Sequence, residues 1–216
     1  TLRVLDTTFL NADVSMGAHL QVMGDVSFES SLDVGNTLRV LDTTFLNADV
    51  SMGTHLQVMG DVSFESSLDV SNTLRVLDTT FLKADVSMGS HLQVMGDVSF
   101  ESSLDVSNTL RVFDTTFMNA DVSMGAHLQV MGDVSFESSL DISNTLRVLD
   151  TTFMNADVSM GAHLQVMGDV SFESNLDVSN TLRVFDTTFL NADVSMGAHL
   201  QVMGDVSFES SLDVSN

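Results

Sequence analysis

The sequence predicts an all-β fold: a parallel β-solenoid, or β-helix, of about 18 residues per coil with a triangular cross-section. Three observations predict it. The 216 residues are one 36-residue stretch written six times, as 1–36, 37–72, 73–108, 109–144, 145–180 and 181–216. Within each copy, apolar residues form pairs spaced by two, and the pairs recur every six residues. No Pro occurs anywhere in the chain, and Pro is the residue that removes a ladder hydrogen bond. A fixed period of this length is the signature of a stack of repeats, in which each unit buries its apolar face only against its neighbours.

The first copy shows the elements in order. Leu2 and Val4 flank Arg3, Val14 and Met16 flank Ser15, and Leu20 and Val22 flank Gln21. Val26 and Phe28 then flank Ser27, and Leu32 and Val34 flank Asp33. Side chains alternating at period two mark half-buried strands rather than a 3.6-residue helical stripe. The hexad at Thr7 departs from the pattern, because it offers Thr8 and Leu10 with Phe9 between them. Each hexad thus gives two inward side chains, one outward, and a short corner. The corners read Leu5-Asp6, Asn11-Ala12, Gly17-Ala18, Met23-Gly24, Glu29-Ser30 and Gly35-Asn36. Their Gly, Asn, Asp and Ser residues suit sharp turns and positive φ.

Stacking fixes the number of hexads per coil at three. At an offset of 18, Leu2 lies on Leu20, Val4 on Val22, Leu10 on Phe28 and Met16 on Val34. Asp13 lies against Ser31, Asp25 against Thr7, Glu29 against Asn11 and Asp33 against Ser15, so no acid stacks on an acid. At an offset of 12, Asp13 would lie on Asp25 in every copy, and like charges directly opposed destabilise a ladder. The prediction is a stack of about 12 coils, roughly 58 Å long at a strand spacing of ~4.8 Å. An intertwined trimeric β-helix, with each chain giving one hexad per level, has the same periodicity and stays open as an alternative.

Composition narrows the function. The formal charge is −23, with 30 acids against 7 bases. Such a chain repels nucleic-acid phosphates and anionic membranes, so neither is an expected partner. No apolar run approaches the ~18 residues of a membrane span. There is no Cys, hence no disulfide and no thiolate metal site.

The periodicity over all 216 residues resembles that of the hexapeptide-repeat, left-handed parallel β-helix proteins, which wind three hexads per coil. Their usual motif favours a small residue two before the aliphatic one. Here Leu2, Val14 and Leu20 hold that site, and only Met16 and, in the first copy alone, Val34 are directly followed by Gly. This departure leaves the handedness open. The cadence DVSFESSLDVSN also resembles repetitive shafts of viral and bacterial fibres and adhesins. The first resemblance brings an enzyme into view, because hexapeptide acyltransferases use a catalytic His beside an irregular loop. His19 recurs as His55, His91, His127, His163 and His199, but no copy carries a loop insertion. A catalytic site needs one pocket with a perturbed environment, and six identical surroundings offer none. No enzymatic activity and no cofactor is expected.

Metal and ice binding are weaker readings. Calcium needs six to eight converging oxygens, whereas the acids alternate with neutral residues. The expectation is therefore at most weak divalent-cation binding by surface Asp. Thr7 stacks on Asp25 and Thr8 on Val26, which breaks the flat Thr array that ice binding requires.

The residues singled out as a candidate site are apolar ones outside the inward pairs. Leu5 and Met23 begin a row that continues as Leu41, Met59, Leu77, Met95, Phe113, Met131, Leu149, Met167, Phe185 and Met203. Phe9 recurs around the same corner as Phe45, Phe81, Phe117, Phe153 and Phe189. Pointing outward, the two rows make a self-association stripe along the rod, since a large contiguous apolar patch marks an interface. A local bulge turning Phe9 inward in place of Thr8 is the other option. Both termini fall in ordinary repeats. The expectation is an uncapped segment of a longer fibre, or a rod joining head to tail. The function expected is a structural, self-assembling fibre rod, extracellular or on a virion or cell-surface appendage. The alternative is an adhesin shaft or a β-helix that binds ice, mineral or a receptor.

Overall fold

A computed structural model describes residues 1–215. Among them the only regular elements are three-residue strands, and no helix is long and apolar enough to cross a membrane. The first copy contributes β1 (Leu2–Val4), β2 (Thr8–Leu10), β3 (Val14–Met16), β4 (Leu20–Val22), β5 (Val26–Phe28) and β6 (Leu32–Val34). The same order runs on through β7 (Leu38–Val40) to β36 (Leu212–Val214).

Every strand but the last three pairs in parallel with the strand three places on, which generates three 12-stranded sheets. The first sheet starts at β1 and β4, the second at β2 and β5, and the third at β3 and β6. The register is Leu2 with Leu20, Thr8 with Val26 and Val14 with Leu32, an offset of 18 residues throughout. The chain pairs with itself at each level, so one chain closes each triangular coil and the intertwined trimer does not apply.

The inward positions form a single apolar column. Leu38, Val40, Leu46, Val58 and Phe64 are all fully buried, and burying such a side chain contributes about 1.5–3 kcal/mol. Size is balanced from coil to coil. Phe28 stacks on Leu10 and Leu46, while Val34 stacks on Met16 and Met52. The coil with the larger residue in the second sheet thus carries the smaller one in the third, which keeps the column close-packed at constant width. Thr44, Thr80, Thr116, Thr152 and Thr188 are buried in this column, and their hydroxyls have no hydrogen-bond partner.

The corners differ from expectation. No described residue, glycine included, has positive φ. The glycines serve close approach instead, because each corner sits directly on the one below. A Cβ at Gly60 would lie 2.9 Å from the carbonyl carbon of Asp42, and one at Gly96 would lie 2.9 Å from that of Asp78. Gly17, in the first coil, has no atom within 4 Å of that position.

Two stability outcomes are expected, both read as shifts of the denaturation midpoint. Thr80→Val should stabilise by about 1–2 kcal/mol, because it removes an unpartnered buried hydroxyl from a row where Val already fits in alternate coils. Gly96→Ala should destabilise by about 1–3 kcal/mol through overpacking, whereas Gly17→Ala should stay within about 0.5 kcal/mol of the parent.

Candidate functional surface

Each sheet presents one outward residue per strand, alternating between coils. The first sheet shows Arg3 and Gln21, the second Phe9 and Ser27, the third Ser15 and Asp33, and their repeats. The Leu5 row lies just past the first sheet. The ladder continues one residue beyond the strand there, with the Met23 amide donating to the Val4 carbonyl at 3.0 Å and the Leu41 amide to Val22 at 3.1 Å. Val4 points in, so the next residue of the pleat points out.

The row is a ridge rather than a set of free side chains. Met59 is 36% exposed and Met95 40%, while Leu41, Leu77, Phe113, Met131, Leu149 and Phe185 are half-buried by their neighbours. Leu5 and Met203, near the two ends of the stack, and Met23 and Met167 are exposed. Where Leu is replaced by Phe, the arginine two residues earlier covers the ring. The Arg111 and Arg183 guanidinium carbons lie 5.2 Å from the ring centroids of Phe113 and Phe185. This cation–π contact is an intrachain reason for those two substitutions.

Phe9 and its repeats point outward. Phe45, Phe81, Phe117, Phe153 and Phe189 are about half exposed, and Phe9 in the first coil more so. The register Thr8–Val26, Phe9–Ser27, Leu10–Phe28 contains no bulge, so the bulged option does not occur. The interior already holds Phe28 at the adjoining levels, and a smaller inward Thr keeps the column from overfilling.

The acids separate into two kinds. Most brace corners. The Thr43 amide donates to both Asp42 at 3.0 Å and Asp25 at 3.2 Å. Asp13 accepts from the Ser30 hydroxyl and the Ser31 amide, and Glu29 accepts from the Asn47 amide group at 3.0 Å. Lys83 replaces Asn at one corner and keeps the brace, with its ammonium 2.7 Å from Glu65. The hydrogen bond from Lys83 to Glu65, and then the Glu65 charge, raise the Lys83 pKa. The Asp33 row is different: among the described residues, Asp33, Asp69, Asp105, Asp141 and Asp177 take part in no side-chain hydrogen bond or ion pair. The only ion pair among the described residues is that of Lys83, so no arginine is paired either.

A groove runs beside that row on the third sheet. It is about 740 Å3 in its first part and continues as one of about 440 Å3 to Asp213. Leu32, Val50, Leu68 and Val86 underlie it, with Asp49 and its row along one wall and Ser51 and Asp69 along the other. The hydropathy pattern gave no sign of it, because its floor is the outer side of inward-pointing residues. No three His, Asp or Glu side chains converge on a possible metal position among the described residues. The six His sit exposed at the corner between the third and first sheets.

Asp193 tests the bracing directly. The Ser210 hydroxyl, then that of Ser211, then the Ser211 amide donate to its carboxylate and lower its pKa. The ionised form is the braced one. Its contribution is therefore complete above the ordinary carboxylate range and is lost as pH falls through the lowered value. Replacing Ser210 and Ser211 together with Ala should move the Asp193 titration, followed by its carboxyl carbon shift in NMR, back up toward that range. Comparison with known proteins brings no likeness: no family, no curated protein and no solved structure matches this chain.

Proposed function

We propose that this chain is a structural rod that assembles side by side into a fibre. Its role is mechanical. Three unbroken parallel ladders around a packed apolar column resist bending and stretching, because deforming the rod strains every coil together. The outward carboxylates keep such a rod hydrated and limit non-specific clumping.

The observation that carries this reading is the Leu5–Met23 ridge. It supplies one apolar side chain per coil from Leu5 to Met203, and it runs beside the Phe9 row. A continuous apolar band of this kind on a hydrated protein marks a protein contact. Its members vary only among Leu, Met and Phe, while positions such as Ala18, Thr54 and Ser90 change more freely.

Replacing every member of the ridge with Ser should leave the β circular dichroism intact and abolish lateral assembly in electron micrographs and sedimentation. Bundles that persist unchanged would remove the ridge from the contact.

A further inference from the structure

Two rows of unpaired charge share one period. Arg3, Arg39, Arg75, Arg111, Arg147 and Arg183 stand outward on the first sheet, once every 36 residues. Asp33, Asp69, Asp105, Asp141, Asp177 and Asp213 stand outward on the third sheet at the same spacing. Two coils separate neighbours in each row, about 9.6 Å at ordinary strand spacing. Among the described residues no Arg forms an ion pair within its own rod, although Arg111 and Arg183 lie over Phe rings, and the Asp33 row makes no side-chain hydrogen bond or ion pair. Two sides of one rod cannot meet each other, but the sides of two rods can.

We propose that a second copy of this chain docks its first sheet onto the third sheet of its neighbour, with the Arg row meeting the Asp33 row and the Leu5–Met23 ridge lying along the Asp13–Ser31 wall of the groove. This rests on the lateral assembly proposed above and specifies its geometry. The occupant is a second copy because the charges are complementary and the spacings identical, a match that an unrelated partner would have to reproduce.

The placement of the ridge selects the orientation. On the first sheet the chain runs from His19 through Gln21 to Met23, and on the third from Asp13 through Ser15 to Gly17. Apposed parallel rods bring the Gln21–Met23 side against the Ser15–Asp13 side, so the ridge falls along the Asp13–Ser31 wall of the groove. Antiparallel rods would set it against the Gly17 corner instead. Arg occurs in the odd coils and the Asp33 row in the even ones, so the two rods are offset by one coil. At that offset each Leu or Phe of the ridge meets the uncharged Ser31 row, and only the Met residues meet the Asp13 row. Such a face-to-different-face contact is heterologous and leaves both face types free for the next rod.

Charge exchange between the rows tests this. One variant carries Asp at all six Arg positions, and the other carries Arg at the six positions of the Asp33 row. Both stay net negative, starting from −23, so overall charge cannot draw them together. Folding of each is checked by circular dichroism. In sedimentation at low salt, each variant alone should stay single, and a one-to-one mixture should regain assembly in which the two alternate. A milder variant with Gln at the six Arg positions, the residue that row already carries in alternate coils, should assemble at least about tenfold more weakly than the parent. A parent rod that never self-associates would defeat the function itself. A parent that assembles, with both charge variants assembling alone as well as it does, would leave the function standing and overturn this docking. A mixture that stays single would overturn it too.

Discussion

A three-residue strand has no stability of its own, and every such strand here is held only by the parallel ladder that ties residue i to residue i+18. That ladder is the constraint on which the rest depends. It sets the two inward rows of each sheet, and so demands apolar side chains whose sizes balance between successive coils. It places each corner on the corner below, and so demands glycine wherever a Cβ would strike backbone at about 3 Å. It also brings side chains of neighbouring coils into reach at the corners, where carboxylates accept amides from one coil on. The repeat is 36 residues rather than 18 because charge, bulk and small residues alternate between the two coils of each copy.

The same alternation shapes the outside. A row that repeated every coil would stack like charges ~4.8 Å apart, whereas alternate coils hold them ~9.6 Å apart, near the screening length at physiological salt. Rows of Arg, Phe and Asp are thereby spaced identically on three different sides. A surface with that property suits contact between copies, since two identical rods keep step along their whole length without adjustment. The interior and the spacing of the outward rows then follow from one period.

Much of this is legible in the sequence. The coil length follows from which offset keeps acids off acids, and the inward residues follow from pairs such as Leu20 and Val22. The position of Phe9 does not, because Thr8 and Leu10 compete with it for the interior, and only the unbulged register decides between them. The glycines were open to misreading: their residue type suggests positive φ, while their function is room for a neighbouring backbone. The split among the acids was also hidden. Asp13 and Asp33 look alike in the chain, and only the corner geometry shows that one is braced by Ser30 and Ser31 while the other is left unpartnered. The groove on the third sheet has no sequence signal, since its floor is formed by the backs of core residues.

The coil closed by one chain is tested most directly by a distance. Spin labels at Gln57 and Gln129 sit outward on the first sheet, four coils apart along its strand order. At ordinary strand spacing their backbones lie about 19 Å apart. A dipolar spectroscopy measurement on doubly labelled chains diluted into unlabelled ones should give a distance near that value, unchanged by dilution. A separation of about 29 Å would indicate a 12-residue coil, and one near 58 Å, accompanied by distances lost on dilution, would indicate chains wound around each other; either would contradict the account.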